Sequence, residues 1–459
     1  MFLSWIQGTN WENPGGGLWT VNEDYGFFHV YAFTMTMGVI FAIAISALKL
    51  YRRGISLNEL WIAAAIIVPV GLLGASFFGK LNAQGLGENA NGVSFFGLFA
   101  FWEGGMAIHG GVYSGTIAGV IIFYFLSKRT KVSLWVYADC IIPNVLVGQG
   151  IGRWGNFFNH ELIGRPLAEW NNGQTDALKW LPEFIRTNMV FKYTGNNSII
   201  NGLPVEQSNL YVMSPIFLYE SLSLIFAWVI ITFIIPNIGK WIGKKPWKLN
   251  PDKFEPKFFN FKIWRTEVFA NHEYKEIELY KKEFKKINDE NFIKRKWKQG
   301  KLLSKCNNPQ GYYLVRTGVQ AGLYFFVWNM VRFILETGRP DDHLFLMYQR
   351  TLSLTVIGLS MFAGLIVSIL SQWVIPYLFR KPGIIYEQEY FYLDESEWNS
   401  IQPIINNDES KEKKWHIFNL KEKKASSEKE KIKIDNKISK KKLKEQKVKE
   451  KLDKKLGKK

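Results

Sequence analysis

Apolar residues run along this chain in blocks close to the roughly 20 residues an α-helix needs to cross a bilayer. The blocks lie at Phe27–Leu48, Leu60–Phe78, Met106–Leu126, Leu134–Gly152, Met213–Pro236, Thr317–Leu335 and Leu352–Phe379. They predict an all-α polytopic membrane protein with about seven transmembrane helices. Val93–Trp102 is apolar but too short to cross, and reads as a re-entrant or interfacial helix leading into the third span. Three stretches break the pattern. Asn159–Val212 mixes polar residues with Trp170, Trp180 and Tyr193 and predicts a small external cap domain. Asn237–Arg316 carries Pro246, Pro251 and Pro256, then a helical charge pattern from Glu273 to Lys298. Ser400–Lys459 is Lys/Glu-rich with few apolar residues after Leu420, so it cannot bury a core and reads as a solvated tail. The expected division is an N-terminal arm (1–26), spans one to five with the cap (27–236, cap 159–212), an insertion (237–316), spans six and seven (317–379) and a Lys-rich tail (380–459).

Charge orients these blocks. The chain holds 58 Lys and Arg against 40 Asp and Glu, a formal net charge of +18, and the excess is concentrated between spans. Lys49, Arg52 and Arg53 follow span one, and Lys128, Arg129 and Lys131 follow span three. The insertion after span five and the tail are lysine-dense as well. All fall on one side of an odd-crossing chain, which makes that side cytoplasmic and the N-terminus external. The N-terminal stretch has no Lys or Arg before Lys49, and Asn13-Pro14-Gly15-Gly16 interrupts it, so a cleavable signal peptide is not expected. Two cysteines, Cys140 and Cys306, exclude a disulfide framework and a CxxC metal site. The tail's lysines suit an anionic leaflet or RNA, but a solvated tail is the commoner outcome, and no specific nucleic-acid partner is predicted.

The chemistry concentrates at the end of span four, in Gly152-Arg153-Trp154-Gly155-Asn156-Phe157-Phe158-Asn159-His160-Glu161-Leu162-Ile163-Gly164. An arginine at such an end either snorkels to the interface or meets an anion. Snorkelling needs neither close-spaced glycines nor two carboxamides, whereas a backbone folded tightly on a polar ligand needs both. His109 lies between glycine pairs in Trp102–Gly111, at the external start of span three. Tyr31 sits at the external end of span one, where a belt tyrosine is commonplace. Glu220 is an ionisable group inside span five, either paired in the bundle or functional. Near the external end of span six, Arg332 and Glu336 share a helix face at i, i+4, with Arg339 just beyond. Arg332 can pair with Glu336 or join Arg153 in clamping a phosphate, to which guanidinium geometry is suited. Arginines, asparagines and a histidine in apolar surroundings at the outer leaflet match the demands of a phospholipid headgroup.

Gly152-Arg153-x-Gly155-Asn156-Phe157-x-Asn159-x-Glu161-x-x-Gly164 resembles the signature of bacterial prolipoprotein diacylglyceryl transferases. The Tyr31 region, His109-Gly110-Gly111, Pro215–Glu220 and Arg332-Phe333-Ile334-x-Glu336-x-x-Arg339 resemble the same family in the same order. The resemblance implies a seven-helix enzyme of the bacterial cell membrane, N-terminus outside and C-terminus cytoplasmic. It would move the sn-1,2-diacylglyceryl group of phosphatidylglycerol onto the lipobox cysteine of preprolipoprotein signal peptides, releasing glycerol 1-phosphate. It implies Arg153 and Arg332 as phosphate ligands; Asn156, Asn159, Glu161 and Gly164 shaping the site; and Tyr31, His109, Glu336 and Arg339 nearby. One departure stands out: the family's Gly-Ala-Arg in span two is Gly74-Ala75-Ser76 here, one positive charge short. The insertion and the tail lie outside the resemblance.

Displacement at the glycerol carbon needs stabilisation of the departing phosphate and a thiolate. Arg153 and Arg332 suit the first task. A cysteine thiol, with a pKa near ~8.5, needs a base for the second; His109 is the first candidate and Tyr31 the second. The scattered histidines give no metal-ligand spacing, so neither metal nor cofactor is expected. The rival is a lipid or anion transporter or flippase, which would carry polar residues on to the cytoplasmic face. In this sequence the cytoplasmic halves of the spans read as largely apolar. A non-catalytic receptor scaffold built on the insertion is a second rival.

Overall fold

The computed structural model describes residues 10–53, 55–84, 94–102, 106–161, 163–200, 202–242, 283–284, 286–287, 291–307, 313–381, 384, 386 and 457. Met1–Phe391 form one compact unit and Tyr392–Lys459 a second. Apart from residue 457 the second unit, and with it the Lys-rich tail, lies outside the described residues, as does most of the 237–316 insertion.

In chain order the elements are β1 (Trp11–Glu12), β2 (Asp24–Tyr25), β3 (Phe28–His29), α1 (Val30–Arg52), α2 (Asn58–Gln84), α3 (Ile108–Thr130), α4 (Leu134–Ile141) and α5 (Val145–Phe158). They continue with β4 (Pro166–Glu169), α6 (Glu183–Asn188), β5 (Val190–Tyr193), β6 (Ser198–Ile200), β7 (Leu203–Val205), β8 (Leu210–Met213), α7 (Ile216–Val229) and α8 (Ile238–Ile242). The last described are α9 (Phe292–Asn307), α10 (Val319–Glu336), α11 (Arg350–Trp373) and α12 (Ile375–Leu378). Among the described residues, six helical stretches are long and apolar enough to cross a membrane: Val30–Arg52, Asn58–Asn82, Ile108–Thr130, Leu134–Phe158, Ile216–Asn237 and Arg350–Trp373. They coincide with six of the seven blocks read from the sequence, and the protein is a membrane protein. The remaining block forms α10, whose Gln320, Asn329, Arg332 and Glu336 are buried inside the bundle rather than turned to lipid. The short apolar stretch before span three contains a single 3₁₀ turn, Gly97–Phe99, with Phe95, Phe96 and Trp102 exposed.

Large apolar side chains point outward all round the long helices, including Phe41, Ile62, Ile117, Phe125, Phe226 and Leu359. A water-soluble core would be inverted relative to this, because lipid tails solvate such residues and supply no hydrophobic force between helices. Close backbone approach replaces that force. A Cβ on Gly38 of α1 would lie 2.5 Å from the Gly148 carbonyl of α5. One on Gly110 of α3 would lie 2.6 Å from the Gly74 carbonyl of α2, and one on Gly364 of α11 would lie 2.9 Å from the Gly322 carbonyl of α10. Three helix pairs thus each cross at small residues. Of the glycine pairs that flank His109, Gly110 and Gly111 admit α2, and Gly104 and Gly105 lie outside the described residues.

The all-α expectation holds for the long helices only. The segment between spans four and five folds around an antiparallel sheet of order β1-β5-β8-β4, with a separate β6–β7 hairpin. The N-terminal arm, expected to be separate, supplies the edge strand: Trp11 pairs with Tyr193 and Glu12 with Lys192. Farther along the arm, Trp19 Nε1 donates to the Val190 carbonyl at 2.8 Å, and the Thr20 and Val21 amides donate to Asn188 Oδ1. Trp11, Trp170, Phe191, Tyr211 and Val212 share one hydrophobic core with Phe157 and Phe217. Since Phe157 belongs to α5 and Phe217 to α7, the sheet is seated on the bundle end where those helices meet.

Candidate active site

Span four runs as helix through Phe158, six residues past the expected end at Gly152, so Arg153 and Asn156 project from a continuous helical wall. The glycines of the signature therefore serve packing rather than a ligand-wrapping turn. A Cβ on Gly155 would meet Tyr31 Cδ2 at 2.9 Å, and one on Gly152 would meet Met35 Sδ at 2.8 Å. Gly164 is likewise structural: its amide donates to the Ser214 carbonyl at 2.8 Å, and a Cβ there would collide with Ser214 and Ile216 at the head of α7.

Five buried charges meet where α5, α7, α10 and the segment just after α10 face one another. Arg153 Nη2 lies 2.8 Å from Glu220 Oε1. Arg339 Nη2 bonds the other oxygen of Glu220. Arg332 Nε lies 2.8 Å from Glu336 Oε2, the i, i+4 pair the sequence predicts, and Arg339 Nε approaches the same oxygen at 3.9 Å. The Phe345 amide donates to Glu336 Oε1. None of the five residues is more than 7% exposed. Three guanidiniums therefore face two carboxylates, leaving one buried positive charge over. Buried charge without a counter-ion is costly, so such a surplus calls for an anion.

The rest of the signature forms a looser edge to this cluster. Arg153 Nη1 donates to Asn156 Oδ1 at 3.4 Å, Asn156 Nδ2 to Glu161 Oε2 at 3.4 Å, and Asn159 Nδ2 to Glu161 Oε1 at 3.3 Å. Glu161 is exposed and Asn159 half-buried, so these two reach the rim rather than the interior. Tyr31 packs over Gly155. His109 is 2% exposed, with its ring 4.7 Å from that of Trp328 and 4.3 Å from that of Phe345. Among the described residues its Nε2 has no hydrogen-bond partner.

Sequence reading missed the loop that closes this group. Arg350 donates to the carbonyls of Glu336 (3.3 Å), Thr337 (2.9 Å) and Arg339 (2.8 Å), and holds Asp341 Oδ1 at 2.8 Å. It binds the orphan carbonyls at the C-terminus of α10, which suit a cation. Phe345, on that loop, roofs His109. Neither residue has a periodic or motif signal, since both depend on where a loop folds back. In span two, Ser76 Oγ donates to the Leu98 carbonyl at 2.9 Å, and Lys80, one turn on, donates to the Gly97 and Ala100 carbonyls at 2.9 and 2.8 Å. A positive charge is thus present one turn beyond the position where the family pattern has its arginine.

The halves of the spans away from the arginines, expected to be largely apolar, also hold buried polar groups. Asn144 Nδ2 donates to Ser46 Oγ at 3.0 Å and to the Cys140 carbonyl, and its Oδ1 accepts from Trp228 Nε1 at 3.1 Å. Asp139 Oδ2 and Oδ1 accept from the Gly318 and Ala321 amides, each at 2.9 Å, capping α10. Gln149, Tyr324 and Asn329 are buried between these groups and the arginines.

The decisive comparison covers the signature itself. Residues 26–245 match the prolipoprotein diacylglyceryl transferase family. Curated relatives carry the name phosphatidylglycerol–prolipoprotein diacylglyceryl transferase. That of Malacoplasma penetrans is 36% identical over 207 residues, covering 42% of this chain and 53% of the relative. That of Oceanobacillus iheyensis is 31% identical over 204 residues, covering 44% and 60%. That of Mycoplasmoides gallisepticum is 31% identical over 249 residues, covering 47% and 62%. The chain thus spans between half and two thirds of the length of the curated relatives it matches. The resemblance carried by Tyr31, His109 and the Gly152–Gly164 stretch is borne out as a family match. Arg332, Glu336 and Arg339 lie beyond residue 245, outside the family match.

Proposed function

We propose that this chain is a phosphatidylglycerol–prolipoprotein diacylglyceryl transferase of the bacterial cell membrane. In this reading α10 is a seventh crossing helix, the N-terminus and the sheet-bearing segment lie outside, and the C-terminus is cytoplasmic. The observation that carries the reading is the surplus cation: three buried guanidiniums against two buried carboxylates, at the bundle end where span four meets the sheet. A phosphodiester supplies the missing negative charge, and its acyl chains fit the lipid-facing surroundings.

The lipobox cysteine thiolate attacks C3 of the diacylglyceryl glycerol. The S–C bond forms as the C–O bond to phosphate breaks, and sn-glycerol 1-phosphate leaves with the bonding electrons. Arg153 and Arg332 stabilise the charge that grows on the departing phosphate. Glu220 and Glu336 fix those guanidiniums in place before reaction, so little reorganisation is needed in the transition state. Arg339, shared between both carboxylates, ties the two pairs together. Asn156 lines the buried substrate-binding side, and Asn159 and Glu161 line its rim. His109, buried against Trp328 and Phe345, accepts the thiol proton; Tyr31 is the second candidate for that task.

The test uses the full chain in detergent with phosphatidylglycerol and a lipobox peptide. The expected result is a mass gain of one diacylglyceryl unit on the peptide cysteine, lost in Arg153→Ala. A folded wild-type protein that leaves the peptide unmodified would overturn the assignment. The buried polar residues running inward from the arginines favour the transporter as second reading. Phospholipid scrambling in liposomes, absent in Arg153→Ala, would be its signature.

A further inference from the structure

The arginine cluster has a polar floor that the transfer chemistry above does not use. Gln149 lies four residues before Arg153 on α5, and Asn329 three residues before Arg332 on α10. At 1.5 Å rise per residue, each sits about 4.5 to 6 Å deeper than its arginine on nearly the same helix face. Gln149 Nε2 donates to the Tyr324 hydroxyl at 3.2 Å, and Asn329 Nδ2 donates to the Phe325 carbonyl at 2.7 Å. The Phe325 carbonyl can only accept, so the amide nitrogen of Asn329 must face it and Oδ1 must face away. Among the described residues, neither Gln149 Oε1 nor Asn329 Oδ1 has a hydrogen-bond partner. Gln149 is 8% exposed and Asn329 0%. His109, whose Nε2 is also unpartnered, stands beside them: its ring packs on Trp328, which stacks in turn on Tyr324.

Two buried carbonyl oxygens without donors are a demand for O–H or N–H groups. An ammonium headgroup could meet it in isolation, but this floor lies under a cluster that already carries a surplus positive charge. A neutral donor fits both conditions. We infer that Gln149 and Asn329 bind the hydroxyls of a neutral polyol headgroup whose phosphate lies on Arg153 and Arg332, and so select glycerol-headed phospholipids over ammonium-headed ones. This rests on the transferase reading and adds the residues that choose the donor lipid. Selectivity then has two components, attraction of the hydroxyls by the amide oxygens and repulsion of a cationic headgroup by the arginines. A site built to bond a hydroxyl discriminates strongly against an analogue that lacks it, because its own groups are left unpaired.

The test compares phosphatidylglycerol with phosphatidylpropanol, which has the same three-carbon headgroup without hydroxyls, in the peptide-modification assay with full-length protein. For wild type, kcat/KM should favour phosphatidylglycerol by roughly ten- to a hundredfold, the range expected when a buried partner is left unmet. In Asn329→Leu and Gln149→Met that ratio should collapse toward one through loss of phosphatidylglycerol turnover, whereas Gln149→Glu, which keeps an acceptor, should retain more of it. Equal use of both lipids by wild type, or an undiminished ratio in both apolar variants, would overturn the inference and leave the floor as a site for water only. The wild-type comparison needs no variant to fold. Failure of wild type to use either lipid would sink the transferase reading itself.

Discussion

Two buried polar groups, at different depths of the same bundle, behave differently. Around Asn144 every polar atom is matched from within: Ser46, the Cys140 carbonyl and Trp228 satisfy the carboxamide, and Asp139 spends both oxygens on the start of α10. Around Arg153 the sums do not close. Three arginines face two glutamates, two amide oxygens and one imidazole nitrogen lack partners, and the bonds to Asn156 and Glu161 stretch to 3.4 Å. Both groups are equally hidden, so burial alone does not separate structure from function. Unfilled valence does. A closed network holds helices together, whereas an open one is held ready for something the chain does not contain.

The sharpest way to break this comparison is a conservative change in the open group. Arg153→Lys keeps the charge but not the fork that reaches Glu220 and a phosphate together. Turnover should drop about 10²- to 10³-fold, the usual loss when one fixed donor to developing charge is removed, with the unfolding midpoint nearly unchanged. Asn144→Leu in the closed group should do the reverse, lowering the midpoint while turnover per folded molecule stays. Equal effects of the two changes on turnover would erase the distinction.

Next in size is the scaffold under both groups. Gly38→Leu puts a side chain against the Gly148 carbonyl, where even a Cβ would approach to 2.5 Å. Overpacking of that kind should cost about 3 kcal/mol, read as a lower thermal midpoint in detergent. Asp139→Ala removes the charged cap of α10 and should cost roughly 2 kcal/mol, without altering the preference between donor lipids.

The smallest effect concerns pH. His160 is stacked on Trp19 at 3.6 Å, with Nε2 3.1 Å from the Val21 carbonyl, and joins the signature to the N-terminal arm. Burial holds its imidazole below the ordinary value, against weaker opposing pulls from backbone hydrogen bonds and Glu23. The unfolded chain therefore takes up a proton more readily than the folded one. Stability should be unaffected well above the unfolded value of about 6.5 and should fall as pH drops through it. Thermal melts from pH 7.5 to 5 should show that slope, and His160→Gln should flatten it.

Much of this was readable in advance where physics acts locally along the chain. Hydrophobic runs of bilayer length marked the long helices within a few residues, because a backbone in lipid must satisfy its hydrogen bonds as helix. The i, i+4 spacing put Arg332 and Glu336 on one helix face and made their pairing one of two readings, and the pair is present at 2.8 Å. The signature's glycines were misread because a small residue suits both a ligand-wrapping turn and a helix crossing. Only the facing chain tells which, here Tyr31 and Met35 against Gly155 and Gly152. The sheet was missed because its strands are two to four residues long, and its edge comes from Trp11–Glu12, far away in sequence.

By itself, then, the sequence determined that this is a helical membrane protein, which residues carry its charge, and which family its first half matches. All three are properties of residue type and order. What only the tertiary structure decided is which charges meet. Glu220 serves Arg153 and Arg339 from a third helix, and the arm completes a sheet across some 180 positions. Arg350 also binds carbonyls of the preceding helix end. The surplus positive charge at the site arises from that meeting, since the net charge of a cluster is set by which side chains the helix crossings bring together.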